Sequence, residues 1–377
     1  MAERLRSLAR RWTGATPVLA VVLLAFVWGR SLPVPVVAVT SVVLAGAVLS
    51  AVHHAEVIAH RVGEPFGSLV LAVAVTVIEV ALIVTLMAEG GAKGPVLARD
   101  TVFAAVMITC NGIVGLCLTL AALRHRLAVF QSEGAGSALA TVGTLATLSL
   151  VLPRFTTSRR GPQFSSSQLV FAAVASLALY GLFVTTQTIR HREFFLPVSR
   201  GDGAFGGGEA GGGEAGGDGG HPEPPSRRRA WTSLLLLACA LVGVVGLAKS
   251  VSHAIESGVT SVGLPHAVVG VIIALLVLLP ESIAATRAAR RDQVQTSLNL
   301  ALGSAMASIG LTVPAVAVAS FWMSGPLVLG LGPTHMVLLA LTLVVGTLTV
   351  VPGRATLLQG GVHLVLFAAY LELAVTP

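Results

Sequence analysis

Residues 63–87 read GEPFGSLVLAVAVTVIEVALIVTLM, an apolar run that holds one carboxylate, Glu79, deep inside it. Far downstream, residues 264–290 read LPHAVVGVIIALLVLLPESIAATRAAR, and Glu281 occupies a similar place there. An ionised acid at the centre of a bilayer costs about 2.5–3.5 kcal/mol on insertion scales, so such residues are seldom kept without a use. The two glutamates, one in each half of the chain, are therefore the leading candidates for a functional site.

The composition of the 377-residue chain is that of a polytopic membrane protein. It is 54% hydrophobic and only 11% charged, whereas soluble domains carry about 25% charged residues. This composition excludes a soluble oxidoreductase and a nucleic-acid-binding domain. The net charge of +7 is explained by arginines in the loops of a membrane protein, so we expect membrane lipid and no nucleic acid around the chain.

Eleven segments are long and apolar enough to span a membrane, which predicts an all-α polytopic fold. They lie at about residues 13–30, 34–53, 67–88, 101–123, 135–152, 167–189, 231–250, 266–287, 297–321, 327–350 and 355–375. Most of the 24 Lys and Arg residues fall on the side of this arrangement that also contains the N-terminus. The positive-inside rule then predicts a cytoplasmic N-terminus and an external C-terminus.

A glycine-rich stretch divides the chain into two parts. Residues 201–220, GDGAFGGGEAGGGEAGGDGG, contain twelve glycines and cannot bury enough apolar surface to offset their ordering entropy. We therefore predict an extra N-terminal transmembrane helix (1–32), a first five-helix repeat (33–192), a flexible cytoplasmic linker (193–230) and a second five-helix repeat (231–377). Because five is odd, the two repeats must run through the membrane in opposite directions, as inverted repeats do.

Both glutamates fall in the second helix of their repeats, at about the same depth. Glu79 and Glu281 lie roughly 16–18 Å from the predicted helix starts at 1.5 Å per residue, near the middle of a ~30 Å core. Arg287 follows Glu281 by only six residues, which requires either that its side chain snorkels to the interface or that the helix tilts or breaks. Pro280 is the expected place for a break, because proline interrupts helical hydrogen bonding.

The chemistry of two buried carboxylates indicates exchange of protons for a cation. Like charges repel and desolvation disfavours charge, so the empty, doubly charged pair is the expensive state. The pair can hold protons, or exchange them for a cation that prefers hard oxygen ligands, such as Ca²⁺. If the protein cannot rearrange while that charge is uncompensated, cation and proton movements become coupled, which is the behaviour of an antiporter.

Neighbouring polar residues and glycines could complete a Ca²⁺ site, which needs about six to eight oxygens. The stretch MITCNG at residues 107–112 offers an amide, and NLALGSAMASIG at 299–310 offers hydroxyls four residues apart on one helix face. Glycines allow close backbone approach or local unwinding, which frees carbonyls, although all these residue types are also routine in membrane helix packing. The candidate supporting residues are Thr76, Asn111, Gly112, Ser282, Gly303, Ser304 and Ser308.

The string HHAEVIAH at residues 53–60 has the composition of a zinc-peptidase motif but not its spacing. HExxH needs a His directly before the Glu and another three residues after it. Here Ala55 precedes Glu56, and His60 follows four residues later. Two interpretations remain: a polar helix end near the interface, or a proton relay or pH sensor made of His54, Glu56 and His60.

Three stretches resemble the bacterial calcium/proton antiporters of the ChaA type, in the cation/calcium exchanger superfamily. They are GEPFGSLVLAVAVTVIEVALI, HHAEVIAHRVGEPFG and LVLLPESIAATRAARRDQVQTSLNLALGSAMASIGLTVPAV. The resemblance covers most of residues 50–315. It implies ten core helices in two inverted repeats plus one extra helix, with Glu79 and Glu281 as cation and proton ligands. It also implies contributions from MITCNG and GSAMASIG, and it allows Na⁺ or K⁺ as well as Ca²⁺ in exchange for H⁺.

We therefore expect an ion antiporter of the bacterial inner membrane, not an enzyme, that exchanges Ca²⁺ for H⁺ by alternating access without a cofactor. A Na⁺ or K⁺/H⁺ antiporter on the same scaffold is the nearest alternative, and a cation channel would show flux without proton coupling. An intramembrane hydrolase is the remote alternative, because no His, Ser and Asp set lies at one predicted depth. The sequence does not define an oligomeric state.

Overall fold

The computed structural model describes residues 2–30, 32–63, 66–89, 94–197, 226–261, 263, 265, 267–322 and 327–376. Apolar helices dominate this part of the chain, as expected where no water is present to satisfy backbone amides. The α-helices are α1 (Ala2–Val27), α2 (Val34–Val62), α3 (Phe66–Glu89), α4 (Gly94–Met107), α5 (Val114–His125), α6 (Ser132–Ala146), α7 (Ser166–Thr185), α8 (Arg227–Ser261), α9 (Ala267–Val277), α10 (Leu279–Arg290), α11 (Val294–Ala319), α12 (Pro333–Val350) and α13 (Leu357–Val375).

Shorter elements link or extend these helices. A π-helical segment joins α4 to α5, and two others extend α6 and α7. Two-residue strands pair antiparallel between the loop after α5 and the loop before α13. These elements are the π segments Ile108–Ile113, Thr147–Val151 and Thr186–Arg190, the 3₁₀ turns Leu152–Arg154 and Arg192–Phe195, and the strands β1 (Ala128–Val129) and β2 (Arg354–Ala355).

The polytopic all-α fold is confirmed, but the predicted count of eleven spans is not. Within the described ranges, eight helices are long and apolar enough to cross a membrane, or nine when the bent pair α9–α10 counts as one span. Helices α1 and α3 lie where two more spans were predicted. Their described apolar parts, Trp12–Val27 and Thr76–Thr85, are shorter than a membrane span by this criterion.

Two helices extend past their predicted boundaries for local reasons. The string 53–60 continues α2 to Val62 instead of ending it near residue 53. Helix α8 begins at Arg227, before the predicted linker ends, because arginine favours helices and the Ser226 hydroxyl accepts from the Arg229 backbone N–H at 3.3 Å. The greater part of the predicted linker, residues 198–225, lies outside the described residues.

Helices α9 and α10 are an apolar pair that is broken where the sequence predicted a break. Their axes are bent by 55° at Leu278, whose φ of −84° and ψ of 2° are not helical. Pro280 occupies the first turn of α10, where its missing N–H costs no intrahelical hydrogen bond. The break therefore places Glu281 at the start of a new helix in the interior of the protein.

The two halves of the chain interlock through corresponding helices. Helix α2 packs along α8; α11 of the second half packs against α7 of the first, and α5 of the first packs against α13 of the second. Likewise α3 packs against α11, and α4 packs against α9. This exchange of partners is the pattern that two repeats related by a pseudo-two-fold axis produce. It brings the second helix of each half to the centre of the bundle.

Candidate cation site

Glu79 lies in the middle of α3 with its carboxylate enclosed by protein. Its side chain is 5% exposed. Its Oε1 accepts a hydrogen bond from the Ser308 Oγ of α11, and such bonds to a charged acceptor are stronger than those between neutral groups. The bond connects the second helix of the first half to the third helix of the second half. The structure thus brings Ser308 to Glu79, as the sequence analysis expected.

Glu281 lies in the first turn of α10, directly after the break. Its Oε2 is buried and has no hydrogen-bond partner in the part of the chain that the structure describes. Leaving a buried acceptor unsatisfied costs about 1–3 kcal/mol. The positive end of the α10 dipole favours negative charge at this position. The atom is therefore both suited to carry charge and available to a proton or a cation.

The two carboxylates interact electrostatically with each other. Arg287 is only six residues after Glu281 in sequence, but its side chain is not directed towards the two glutamates. Because α10 starts a new direction at the break, Arg287 is exposed and interacts with Glu56 at the end of α2. This arginine is therefore directed towards Glu56 and not towards the two carboxylates.

Three other predicted supporting residues lie one helical turn from the pair or from Ser308. Thr76 is buried on α3, one turn before Glu79. Ser304 is half-buried on α11, one turn before Ser308. Gly303 borders open space, because a Cβ at that position would meet no atom within 4 Å. Along α11 the surroundings therefore change from open space at Gly303, through a half-buried Ser304, to a fully buried Ser308.

Ser282 and Gly112 make contacts of another kind. The Ser282 Oγ donates to the Leu278 carbonyl at 2.7 Å and so stabilises the first turn of α10. Gly112 packs against the ring of Phe367, which a Cβ would meet at 3.4 Å. The described contacts of Ser282 and Gly112 do not include either glutamate.

The Asn111 side chain forms hydrogen bonds with residues of α12 and α13. Its Nδ2 donates to the Thr342 Oγ1 of α12 at 2.9 Å, and its Oδ1 lies 3.0 Å from the His363 Nδ1 of α13. The structure therefore does not bring this side chain to Glu79 or Glu281 through any contact that it describes.

The three residues of the proposed relay on α2 separate into two groups. His54 is buried and its Nε2 lies 3.1 Å from the Thr13 carbonyl of α1. Glu56 and His60 are exposed on another face and interact with each other and with Arg287. The described contacts therefore do not connect His54 with the other two residues. The relay remains a prediction, and the geometry favours a polar helix end.

His363 is a buried polar residue that the sequence analysis missed. It lies inside the apolar helix α13 and is 2% exposed. The rule applied to the glutamates would have found it, because an ionisable residue within a membrane span is a functional hypothesis by default.

Two interlocking halves, a bent helix pair and a buried carboxylate from each half define the class of the protein: it is a polytopic membrane transporter of ions. The chain belongs to the sodium/calcium exchanger protein family, whose family model matches residues 32–189 and 232–376.

Comparison with individual proteins supports this assignment. The chain is 45% identical to the putative ionic transporter y4hA of Sinorhizobium fredii over 97% of this chain and 96% of that protein. It is 36% identical to the sodium-potassium/proton antiporter ChaA of Escherichia coli over 94% of this chain and 93% of that protein. The predicted resemblance to ChaA-type exchangers is thus confirmed.

Solved structures share the fold at low sequence identity. The H⁺/Ca²⁺ exchanger CAX matches with a TM-score of 0.69 and 16% identity over 99% of this chain and 89% of that one. Native YfkE matches with a TM-score of 0.68 and 16% identity over 97% and 99% of the two chains. At this identity the likeness concerns the fold alone.

Proposed function

We propose that this protein is an antiporter that exchanges Ca²⁺ for H⁺ by alternating access, with Glu79 and Glu281 binding the cation or protons in turn. The observation that carries the proposal is a buried carboxylate from each half of the chain: Glu79 is bonded to Ser308 of the opposite half, and the Oε2 atom of Glu281 is buried without a partner among the described residues. Membership of the exchanger family supports the same class of function.

Charge balance explains how such a site would couple the two ions. Two protons or one Ca²⁺ neutralise a pair of carboxylates equally well. The empty pair carries two negative charges in a low-dielectric interior, where uncompensated charge is costly. A rearrangement that closes the site to one side and opens it to the other is therefore accessible with either occupant and blocked when the site is empty. That difference couples uphill movement of one ion to downhill movement of the other.

The described oxygens supply part of a Ca²⁺ coordination shell. Two carboxylates offer up to four oxygens and the Ser308 hydroxyl a fifth, against the six to eight that Ca²⁺ takes. The free carbonyls at the C-terminal end of α9 lie beside the break, since the last turn of any helix lacks intrahelical partners. Thr76, Ser304 and water are the remaining candidates. We assign no separate cofactor to the site.

A Na⁺ or K⁺/H⁺ antiporter is the second candidate. The observation that favours it is the 36% identity to a protein named as a sodium-potassium/proton antiporter. A monovalent cation also carries half the charge of Ca²⁺, so one of the two carboxylates is enough to neutralise it.

We place the protein in the bacterial inner membrane with its N-terminus in the cytoplasm and its C-terminus outside, and we retain the division into an extra helix, two repeats and a linker. Arginines gather at one end of the bundle: Arg124 at the end of α5 donates to the Arg290 carbonyl at the end of α10 at 2.8 Å. Such an end faces the cytoplasm under the positive-inside rule.

Transport by the purified protein in vesicles tests the proposal. With an imposed pH gradient we expect Ca²⁺ uptake that stops when the gradient is dissipated. Because protons and Ca²⁺ compete for the same carboxylates, the half-saturating Ca²⁺ concentration should rise as the pH on the binding side falls, by at most about 100-fold per pH unit if two protons are displaced. Uptake of Na⁺ or K⁺ alone would establish the second candidate, and uptake independent of the gradient would indicate a channel.

The Ser308 hydroxyl has a predicted effect of its own. Ser308→Ala removes the donor to Glu79, and hydrogen bonds to charged groups contribute about 1.5–3 kcal/mol. Part of that energy is recovered by relaxation, so we expect a rise of about five- to tenfold in the half-saturating Ca²⁺ concentration. The same assay on Ser137→Ala, whose hydroxyl bonds a carbonyl within α6, serves as the control. Equal affinities for Ser308→Ala and wild type would remove this hydroxyl from the site.

A further inference from the structure

A second buried polar cluster lies apart from the carboxylates and is fastened to the π segment Ile108–Ile113. Asn111 lies in this segment, Thr342 and Thr349 lie on α12, and His363 lies on α13. The four side chains form a continuous chain of hydrogen bonds of 2.9–3.1 Å. Each of the four residues is at most 2% exposed. We call these four residues the clamp.

One arrangement of protons satisfies every member of the clamp. Thr342 donates to the Leu338 carbonyl at 2.7 Å, so its oxygen accepts from the Asn111 Nδ2. The Asn111 oxygen accepts from the His363 Nδ1, and the unprotonated Nε2 accepts from the Thr349 hydroxyl at 3.1 Å. Neutral His363 thus acts as donor on one side and acceptor on the other. A fully satisfied buried network specifies a single geometry.

The clamp holds a segment that an ordinary helix would not form. A π segment replaces the i→i+4 hydrogen bonds of the helix with wider turns; such segments are rare and frequent at functional sites. In α11, the corresponding helix of the second half, the backbone is α-helical from Val294 to Ala319. In α11 the Tyr180 side chain of α7 packs against Gly310. The π segment is therefore found in the first half only, at the place where the clamp residues of α12 and α13 hold it, and its counterpart in α11 is regular.

The position of the π segment connects the clamp to the candidate site. The segment packs against α10, which carries Glu281 in its first turn, and against α11, which carries Ser308. The space beside the clamp is small. The adjacent cavity has a volume of about 20 Å³ and is lined in part by Cys110, Thr342 and His363. That volume holds about one water molecule. Movement of Asn111 would therefore be transmitted to its neighbours instead of being absorbed.

We propose that His363 is a positioning residue of the antiporter: by holding Asn111 it fixes the π segment against the Glu281 end of α10 and so sets the cation affinity of the site. This inference rests on the proposed function for its transport readout. The structural claim, that His363 holds the π segment in place, depends only on the observed hydrogen bonds.

Two variants of His363 separate its hydrogen bonds from its bulk. His363→Met fills a similar volume but leaves the Asn111 oxygen and the Thr349 hydroxyl without their partner. His363→Gln retains a donor and an acceptor on one side chain and is the rescue variant. We expect His363→Met to raise the half-saturating cation concentration about tenfold with the maximal rate retained, and His363→Gln to restore most of the affinity.

A thiol inside the π segment gives a readout that does not depend on transport. Cys110 is buried there at 3% exposure, and Cys117→Ala with Cys239→Ala leaves it as the single cysteine. In this background we expect His363→Met to raise the rate of maleimide labelling of Cys110 about tenfold, and His363→Gln to stay near the parent. If no antiport is found in the parent, the proposed function fails while the labelling still decides whether the clamp holds the segment.

The inference is overturned if the folded His363→Met protein shows parental labelling, or if labelling rises while cation affinity stays unchanged. Equal loss of affinity in His363→Met and His363→Gln would also overturn it, since the hydrogen bonds would then not be the cause. Should His363→Met fail to give a monodisperse protein, Thr342→Val replaces it. That change leaves His363 in place and removes the oxygen that accepts from Asn111, and the same readouts and outcomes apply.

Discussion

Replacing either buried glutamate by glutamine is expected to reduce proton-coupled Ca²⁺ uptake at least about 100-fold, to the level of vesicles without protein. Glutamine keeps the volume and hydrogen-bonding capacity of glutamate but cannot carry its charge. With Glu79→Gln or Glu281→Gln, one negative charge remains where the cycle needs two. The site then binds Ca²⁺ weakly and cannot exchange a divalent cation for two protons.

The matched control is Glu372→Gln, because Glu372 is an exposed carboxylate near the end of a membrane helix. Its loss should leave uptake at the level of the wild type. The Glu79→Gln and Glu281→Gln proteins should be at least as thermally stable as the wild type, since removing a buried charge relieves a desolvation cost. The exposed Glu372→Gln change should leave thermal stability unchanged. If either Glu79→Gln or Glu281→Gln retains exchange, that residue is removed from the mechanism.

The features that sequence could predict are those whose physical cause is local. A carboxylate within an apolar span is conspicuous because the bilayer penalises it wherever the helix packs. The break beside Pro280 follows from the missing N–H and the fixed φ of one residue. The contact between Ser308 and Glu79 was also accessible, because α11 is a regular helix and the faces of a regular helix can be counted along the sequence.

The position of Asn111 could not be predicted because it depends on an irregularity in the backbone. The sequence analysis named Asn111 as a candidate supporting residue because it lies in the span that follows Glu79, which it predicted as one continuous segment at about 101–123. A π segment inserts one extra residue, which turns every later side chain by about 100° relative to that expectation. The side chain consequently faces His363 and Thr342, two residues far away in sequence. Whether such a segment forms depends on these distant partners.

The string at 53–60 shows that residues close together in sequence need not be neighbours in space. His54 and Glu56 are two residues apart, and residues so spaced on a helix do not face each other. The structure accordingly directs His54 to α1 and Glu56 towards Arg287. Glu56 and His60, four residues apart, do share a face, and they interact.

Gly360→Ala is expected to destabilise the protein strongly, because α5 and α13 cross there with their backbones in direct contact. A Cβ at Gly360 would lie 2.5 Å from the Thr119 Oγ1 and 2.8 Å from the Thr119 backbone N. The hydroxyl can rotate away but the backbone cannot, so the two helices must move apart. Overpacking of this kind costs about 1–3 kcal/mol, and we expect the melting temperature in detergent to fall by at least about 5 °C.

The neighbouring glycine supplies a control on the same helix. A Cβ at Gly361 would meet no atom within 4 Å, and alanine is the better helix former, so Gly361→Ala should be neutral or slightly stabilising. The melting temperatures of both variants are measured by heating each protein in detergent and monitoring the fraction that remains monodisperse. Because His363 lies one turn beyond Gly360, the Gly360→Ala protein should also label faster at Cys110. Equal melting temperatures for the two variants would mean that α5 and α13 can separate at this crossing without a loss of stability. The close approach of these two helices would then not be what holds the two halves of the chain together.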